Sequence, residues 1–275
     1  MVRALKLEWL KVKNYRIFWV LAFMYLAALL IISSAGGLFL LWLKQEGADF
    51  NGIDPTILPI FDFPDIWQNI TYLGSYVKIF LAFIVIISVN NDITYNTLRQ
   101  NIIDGLSKKE YIASKMIMII AMALLSTLFL FIAGFINGSI YSHVWGLHYI
   151  FDEMEFLAAY FYEIVVYCTL AFLLALIIKK AGFVIVALFL YTIMFEPIAV
   201  AILENAPFFK ESIWADIAQL FPIKALNNLI KVPFGKYLFM EIKDNISIRA
   251  VAIVFGWFVF YMSSIVYILN KRDLK

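Results

Sequence analysis

Cysteine is nearly absent: Cys168 stands alone in 275 residues, so no disulfide can form within the chain. It sits in an apolar run and carries no redox or metal signal. Charge is scarce as well, at 15% of residues, with Lys and Arg exceeding Asp and Glu by only two. A balance this close to neutral says little about partners until it is divided by side of the membrane, and no nucleic-acid partner is expected. Histidine is limited to His143 and His148. Placed near Asp152, Glu153 and Glu155, they invite a metal reading, but a spacing of five puts them poorly on one helical face, and no HExxH accompanies them. Histidines at a membrane interface are the plainer reading. No stretch has the form GxxxxGK[ST], or GxGxxG between a strand and a helix, so no nucleotide site is visible. Low-complexity segments, Pro/Gly/Ser linkers and charged tails are missing too, which argues for one domain over residues 1–275.

What is present is apolar. Hydrophobic residues make up 64% of the chain and the mean hydropathy is +0.87, far outside soluble-domain usage. An all-α integral membrane protein is expected, with six transmembrane helices: 17–43, 70–89, 116–141, 157–178, 182–203 and 248–269. The first run would be about 40 Å long as a helix, more than a hydrocarbon core of roughly 30 Å requires. Tilting, or a bend at Gly36-Gly37, would absorb the excess. A cleavable signal peptide ending near Ser33-Ser34-Ala35 is the rival reading, opposed by the apolar run continuing from Leu38 to Leu43.

Residues 1–16 read as an amphipathic interfacial helix. Leu5, Trp9 and Val12 share one face, and Arg3, Lys6, Lys11, Lys13 and Arg16 supply the cationic remainder. Residues 44–69 form an acidic, proline-broken loop with Glu46, Asp49, Asp54, Asp62 and Asp65 against Lys44. The loop 204–247 is amphipathic in its middle: Trp214, Ile217, Leu220 and Phe221 line one side, Pro222 interrupts, and Ala225, Leu226 and Leu229 resume. Short helices on the outer leaflet are expected there. With six spans both termini share a side. Fourteen Lys and Arg fall on that side and seven on the other, so the positive-inside rule puts both termini in the cytoplasm.

The polar segment 90–115 carries the sharpest local signals. Thr97-Leu-Arg-Gln100 and Ser107-Lys-Lys-Glu110 both have capping-box form, Gly105 suits a left-handed helix end, and Leu106 with Tyr111 forms a hydrophobic staple. A short helix near 98–103 and a second helix running from Ser107 into the third span are expected. Lys108 and Lys109 occupy that helix's first turn against the dipole, which points either to lipid headgroups or to an acidic groove on a partner. Within the spans, Lys78, Glu163 and Glu196 all reach the outer half, and a lysine meeting one of the two glutamates is the physically motivated pairing. Snorkelling at the outer surface is the alternative for Lys78 and Glu163. Pro197 should kink the fifth helix beside Glu196. Ala133, Gly134, Gly138, Ala171 and Ala175 permit close helix packing but specify no partner.

Six spans, an interfacial first helix, a capped cytoplasmic segment between spans two and three, and outer helices before span six resemble the membrane permease of type-2 ATP-binding cassette (ABC) exporters. In that family the cytoplasmic segment runs as an acidic residue, Gly-Thr-x-Arg, Pro-x-Ser-Arg, then a Lys entering span three. Here the positions are Asp92, Asn96-Thr97-Leu98-Arg99, Gly105-Leu106-Ser107-Lys108 and Lys115, with Asn96 for Gly, Gly105 for Pro and Lys108 for Arg. Leu220-Phe221-Pro222 to Asn228 is similar to the family's outer Pro-containing segment.

The resemblance implies that 90–115 contains a coupling helix docked on a separate ATPase, with Asp92, Thr97, Leu98, Arg99, Gly105, Ser107, Lys108, Lys109 and Lys115 as coupling residues. It further implies a second permease copy or homologue, ATP and Mg bound by the partner ATPase with no cofactor on this chain, and a bacterial inner membrane. Lys78, Glu163 and Glu196 are candidates for a translocation path. Aromatic-rich spans lean towards an amphiphilic cargo, such as a lipid or peptide antibiotic. An ion channel or secondary transporter using the same three charges is the main alternative. A membrane-embedded enzyme would need a nucleophile and base, or paired metal ligands, at one depth, which Cys168 and two loop histidines do not supply.

Overall fold

In a computed structural model, residues 2–45, 61–144, 146–206, 213–233 and 245–271 are described, and all regular structure among them is helical. Most of the acidic loop 44–69, and both flanks of the outer helices within 204–247, lie outside the described residues. Among the described residues, helices long and apolar enough to cross a membrane number five, or six if one bent pair counts as a single span. The chain is therefore a membrane-embedded helical protein.

Helix α1 (Val2–Lys13) is followed by α2 (Arg16–Gln45), which continues unbroken through Gly36-Gly37, with Ser33-Ser34-Ala35 inside it. The expected bend at the glycines is not a break. The second span departs from the single helix 70–89: it is α3 (Ile66–Ser75) and α4 (Lys78–Thr94), meeting at 43°. The break falls just after Gly74, where a Cβ would come within 2.8 Å of Leu130 and so could not be housed without a shift. Then come α5 (Thr97–Ile103), α6 (Lys108–Tyr141), α7 (Leu147–Phe151) and α8 (Glu155–Ile178).

The fifth span is interrupted. Helix α9 (Ala181–Leu190) passes into a π-helical turn, Tyr191–Phe195, and resumes as α10 (Glu196–Asn205). Pro197 explains this: it has no N–H for the carbonyl one turn back, and its ring would collide with that carbonyl, so the preceding turn widens. Short helices α11 (Ile213–Ala218) and α12 (Pro222–Asn227) realise the expected amphipathic middle of the outer loop, with Pro222 opening α12. Helix α13 (Ile248–Lys271) closes the described chain.

Helix α8 is the hub. It packs against α3, α4, α6, α9 and α13, and 17 of its 24 residues are buried. Its hydrophobic residues run all round the helix rather than along one stripe, which is how a helix enclosed by others is built. The glycines of α6 do specify a partner, contrary to the sequence expectation. A Cβ on Gly134 would lie 2.8 Å from the Trp67 ring, and one on Gly138 would enter the Phe63 ring. Trp67 is wholly buried, stacks on Phe131 at 5.6 Å and donates from its indole N–H to the Ile150 carbonyl at 2.8 Å. The Gly134-x-x-x-Gly138 step thus makes the slot into which the start of the bent span packs.

Candidate functional site

The chain leaves α4 through Asn96, which takes a left-handed conformation at φ 54°, and enters α5 at Thr97. Thr97 is not the N-cap, so the first expected capping box does not form. Its hydroxyl instead donates to Asp92 Oδ1 at 2.9 Å, and the Gln100 amide closes a backbone bond to the Asn96 carbonyl at 3.0 Å. The side chain is taken by a stronger acceptor, the carboxylate one turn earlier. The far end of α5 behaves as its sequence predicts. Gly105 at φ 93° donates to the Ile102 carbonyl at 3.1 Å, and Leu106 donates to the Asn101 carbonyl at 2.9 Å, a Schellman closure. The second capping box also forms: Glu110 N–H donates to Ser107 Oγ at 3.2 Å while Ser107 N–H donates to Glu110 Oε2 at 2.9 Å. Both ends of the short helix are therefore held by local bonds.

Beneath this segment lies a buried cluster of charges. Lys115 Nζ, with no solvent exposure, contacts Asp92 Oδ2 at 2.7 Å and Glu8 Oε2 at 2.9 Å, and donates to Ser88 Oγ at 2.7 Å. Lys11 bridges the same two acids, at 2.7 Å to Asp92 Oδ1 and 3.4 Å to Glu8 Oε1. Two carboxylates and two ammonium groups sum to zero, which lets the cluster exist with so little water around it. It joins α1, α4 and α6. Asp92 and Lys115, predicted as coupling residues, are thus turned inward and clamp together the two spans that flank α5. Glu8 and Lys11 were not singled out from sequence. The available signal was Glu8 itself, the only acid before Glu46, set three residues ahead of a lysine in an otherwise basic helix. Because Glu8 faces the cluster, α1 presents Trp9 outward, 58% exposed.

The other predicted coupling residues divide by exposure. Leu98 is buried and anchors α5 to the bundle, whereas Arg99 and Lys109 are exposed, as are Tyr95 at 72% and Ile103 at 70%. Lys108 donates to the Asn270 carbonyl at 3.3 Å and so ties the start of α6 to the end of α13. That contact, with the α1 cluster, places the N-terminal helix, segment 90–115 and the end of α13 at one end of the bundle.

Deeper in the bundle, Lys78 and Glu163 form a buried ion pair between α4 and α8, and Lys78 Nζ lies 5.4 Å from the centre of the Tyr167 ring. Of the two glutamates proposed as its partner, Glu163 is the one. Its second oxygen, Oε2, has no hydrogen-bond partner and the residue lines a polar cavity of about 310 Å³ with Tyr72, Ser75, Lys224 and Asn228. Nearby, Tyr25, Ser126 and Tyr160 join their hydroxyls across α2, α6 and α8, with Tyr25 to Tyr160 at 2.8 Å and Ser126 to Tyr160 at 3.0 Å. None of these three was flagged by sequence, since Tyr and Ser in an apolar span carry no spacing signal. Glu196 stands apart from the Lys78 pair. It is buried, and its Oε1 accepts from the Lys224 backbone N–H at 2.8 Å, at the amino end of α12.

His143 is taken up locally: its backbone N–H donates to Asp62 Oδ1 at 2.7 Å, with its ring 3.3 Å from the same oxygen. Among the described residues no group of three His, Cys, Asp or Glu is placed to hold a metal ion. Cys168 is buried and unbonded. Compared with known proteins, the chain matches no protein-family model and no curated sequence. Its geometry and its motif residues are what bear on function.

Proposed function

We propose that this chain is the membrane permease subunit of a type-2 ATP-binding cassette exporter, moving an amphiphilic substrate with energy from ATP hydrolysed on a separate ATPase subunit. The observation that carries the reading is the build of segment 90–115: a seven-residue helix capped at its far end, exposed along Arg99 and Ile103, and rooted in two spans that the Asp92–Lys115 pair locks together. A push on the exposed face of α5 would reach both spans as a rigid displacement, because neither the caps nor the buried charges leave a soft joint. The coupling residues then fall into three roles. Arg99 and Lys109 meet the ATPase, with Lys108 beside them, while Asp92, Thr97, Leu98 and Lys115 pass the motion inward and Gly105 and Ser107 shape the turn. ATP and Mg belong to the partner, as does the enzymatic step, and a second permease completes the pathway. The basic residues gathered at this end favour the cytoplasmic side, and the resemblance to exporter permeases implies a bacterial inner membrane.

The test is purification of the tagged chain in mild detergent, mass spectrometry of what accompanies it, and an ATPase assay of the eluate. An ATP-binding cassette protein recovered with wild type, and lost when segment 90–115 is altered, supports the reading. A chain that purifies alone without ATPase activity overturns it.

One observation favours the second reading, an ion channel or secondary transporter. Glu163 has a buried carboxylate oxygen without a hydrogen-bond partner and lines a polar cavity within the helical bundle, where ionisable groups mark pathways. Ion flux through the purified chain in liposomes, abolished by Glu163→Gln, would select it.

A further inference from the structure

A groove of about 240 Å³ runs between the α1–α2 elbow and the last three turns of α4. Its inner walls are apolar, with Phe18 and Leu21 on one side and Ile84 and Ile87 on the other; its mouth is polar, with Lys11 and Thr97. From the level of Asp92 to that of Ile84 is eight residues of helix, about 12 Å along the span. A slot that is polar at the membrane end and apolar inward has the polarity of a single lipid chain and its headgroup.

The charge around the mouth says which lipid. Glu8, Lys11, Asp92 and Lys115 cancel one another in the buried cluster, which leaves Lys6, Lys13 and Arg16 exposed on the elbow with no acid on α1 or α2 against them. Trp9 and Trp19 are 58% and 50% exposed on the two arms of the elbow, and the Trp19 indole N–H donates to the Lys13 carbonyl at 3.1 Å. Outward tryptophans mark headgroup depth, and uncompensated cations there attract anionic headgroups. A second copy of this chain would bring the same cations and be repelled.

We propose that this groove binds the acyl chain of one anionic phospholipid, whose headgroup rests against Lys13 and Arg16. The lipid would brace the elbow against α4, on the wall that also carries Asp92 and Thr97. This does not depend on the exporter reading.

The experiment uses the full chain in nanodiscs holding equal phosphatidylglycerol and phosphatidylcholine with identical acyl chains, followed by native mass spectrometry. One phosphatidylglycerol retained per chain is expected. Lys13→Gln with Arg16→Gln removes two surface charges and should weaken that retention roughly 25-fold, at about fivefold per basic residue, down to the level of phosphatidylcholine. Ile87→Trp fills the groove and should abolish retention of both lipids, with folding checked by thermal unfolding followed by circular dichroism. Should Ile87→Trp fail to fold, the doubly substituted surface variant decides alone, since both side chains are exposed. The proposal is overturned if wild type retains neither lipid or both equally, if a folded Ile87→Trp keeps its phosphatidylglycerol, if the two glutamines leave retention unchanged, or if a lipid-free dimer appears instead.

Discussion

Replacing Lys115 with methionine tests the central packing argument directly. The substitution keeps the length of the side chain and removes its charge, leaving Glu8 and Asp92 to share Lys11. Asp92 and Glu8 have side-chain exposures of 3% and 8%, and Lys11 has 33%, so the surplus negative charge cannot be shed to water without opening the junction of α1, α4 and α6. Removing one partner of a buried ion pair costs about 3–5 kcal/mol, and the low exposure here leaves little reason to discount it. Lys115→Met combined with Asp92→Asn restores neutrality, since Glu8 and Lys11 remain as a pair and an asparagine oxygen can still accept from Thr97. Most of the lost stability should return in the double variant, a coupling of about 2 kcal/mol or more between neighbouring sites. The assay is reversible unfolding in mixed micelles, with all three proteins in the same detergent. A single variant within about 1 kcal/mol of wild type would refute the claim that the cluster is electrostatically closed. So would a double variant in which the two losses simply add.

Further outcomes are expected. Gly134→Ala places a methyl group 2.8 Å from the Trp67 ring and should cost about 1–3 kcal/mol in the same unfolding assay; a neutral result would mean that the α3–α6 slot is looser than the geometry indicates. Ser107→Ala removes the acceptor for the Glu110 N–H and should cost about 1 kcal/mol, whereas Thr97→Ala should act through Asp92 rather than by uncapping α5, and so cost less in an Asp92→Ala background than in wild type. Glu163→Gln leaves Lys78 buried without its counter-charge and should destabilise by about 3 kcal/mol or more, with Lys78→Met in the same chain recovering most of it; failure of that rescue would exclude a simple ion pair. Under the proposed function, Arg99→Glu should leave the melting temperature unchanged, because the side chain is exposed, while separating ATP hydrolysis from transport in proteoliposomes. Normal transport by that variant would count against docking at α5.

The parts of the site that sequence reading located are those made by neighbours in the chain. The Ser107–Glu110 box and the Gly105 turn are spelled out within four residues, and the structure contains both. Thr97 shows the limit of the same logic. Its sequence has capping form, yet the charge-assisted bond to Asp92 takes the hydroxyl away, and only the fold at Asn96 puts that carboxylate in reach. Lys78 illustrates a middle case. Depth counted along each helix was enough to suggest a partner glutamate, but rotation about the helix axes, which depth does not contain, chose Glu163 and sent Glu196 to the end of α12.

What the sequence by itself determined is the membrane-embedded, all-helical character of the chain, the positions of its apolar helices to within a few residues, and the capped turn between α5 and α6. These follow from hydrophobic run length and from bonds between residues close in the chain, which any surroundings would preserve. Tertiary structure alone decided that α8 is the hub, that the second span bends after Gly74, that Gly134 and Gly138 receive Trp67 and Phe63, and that Glu8 meets Lys115 across 107 residues. Each of these depends on which faces of separate helices meet. In an apolar chain nearly every face is hydrophobic enough to be buried, so the choice among them rests on shape and on the pairing of a few charges.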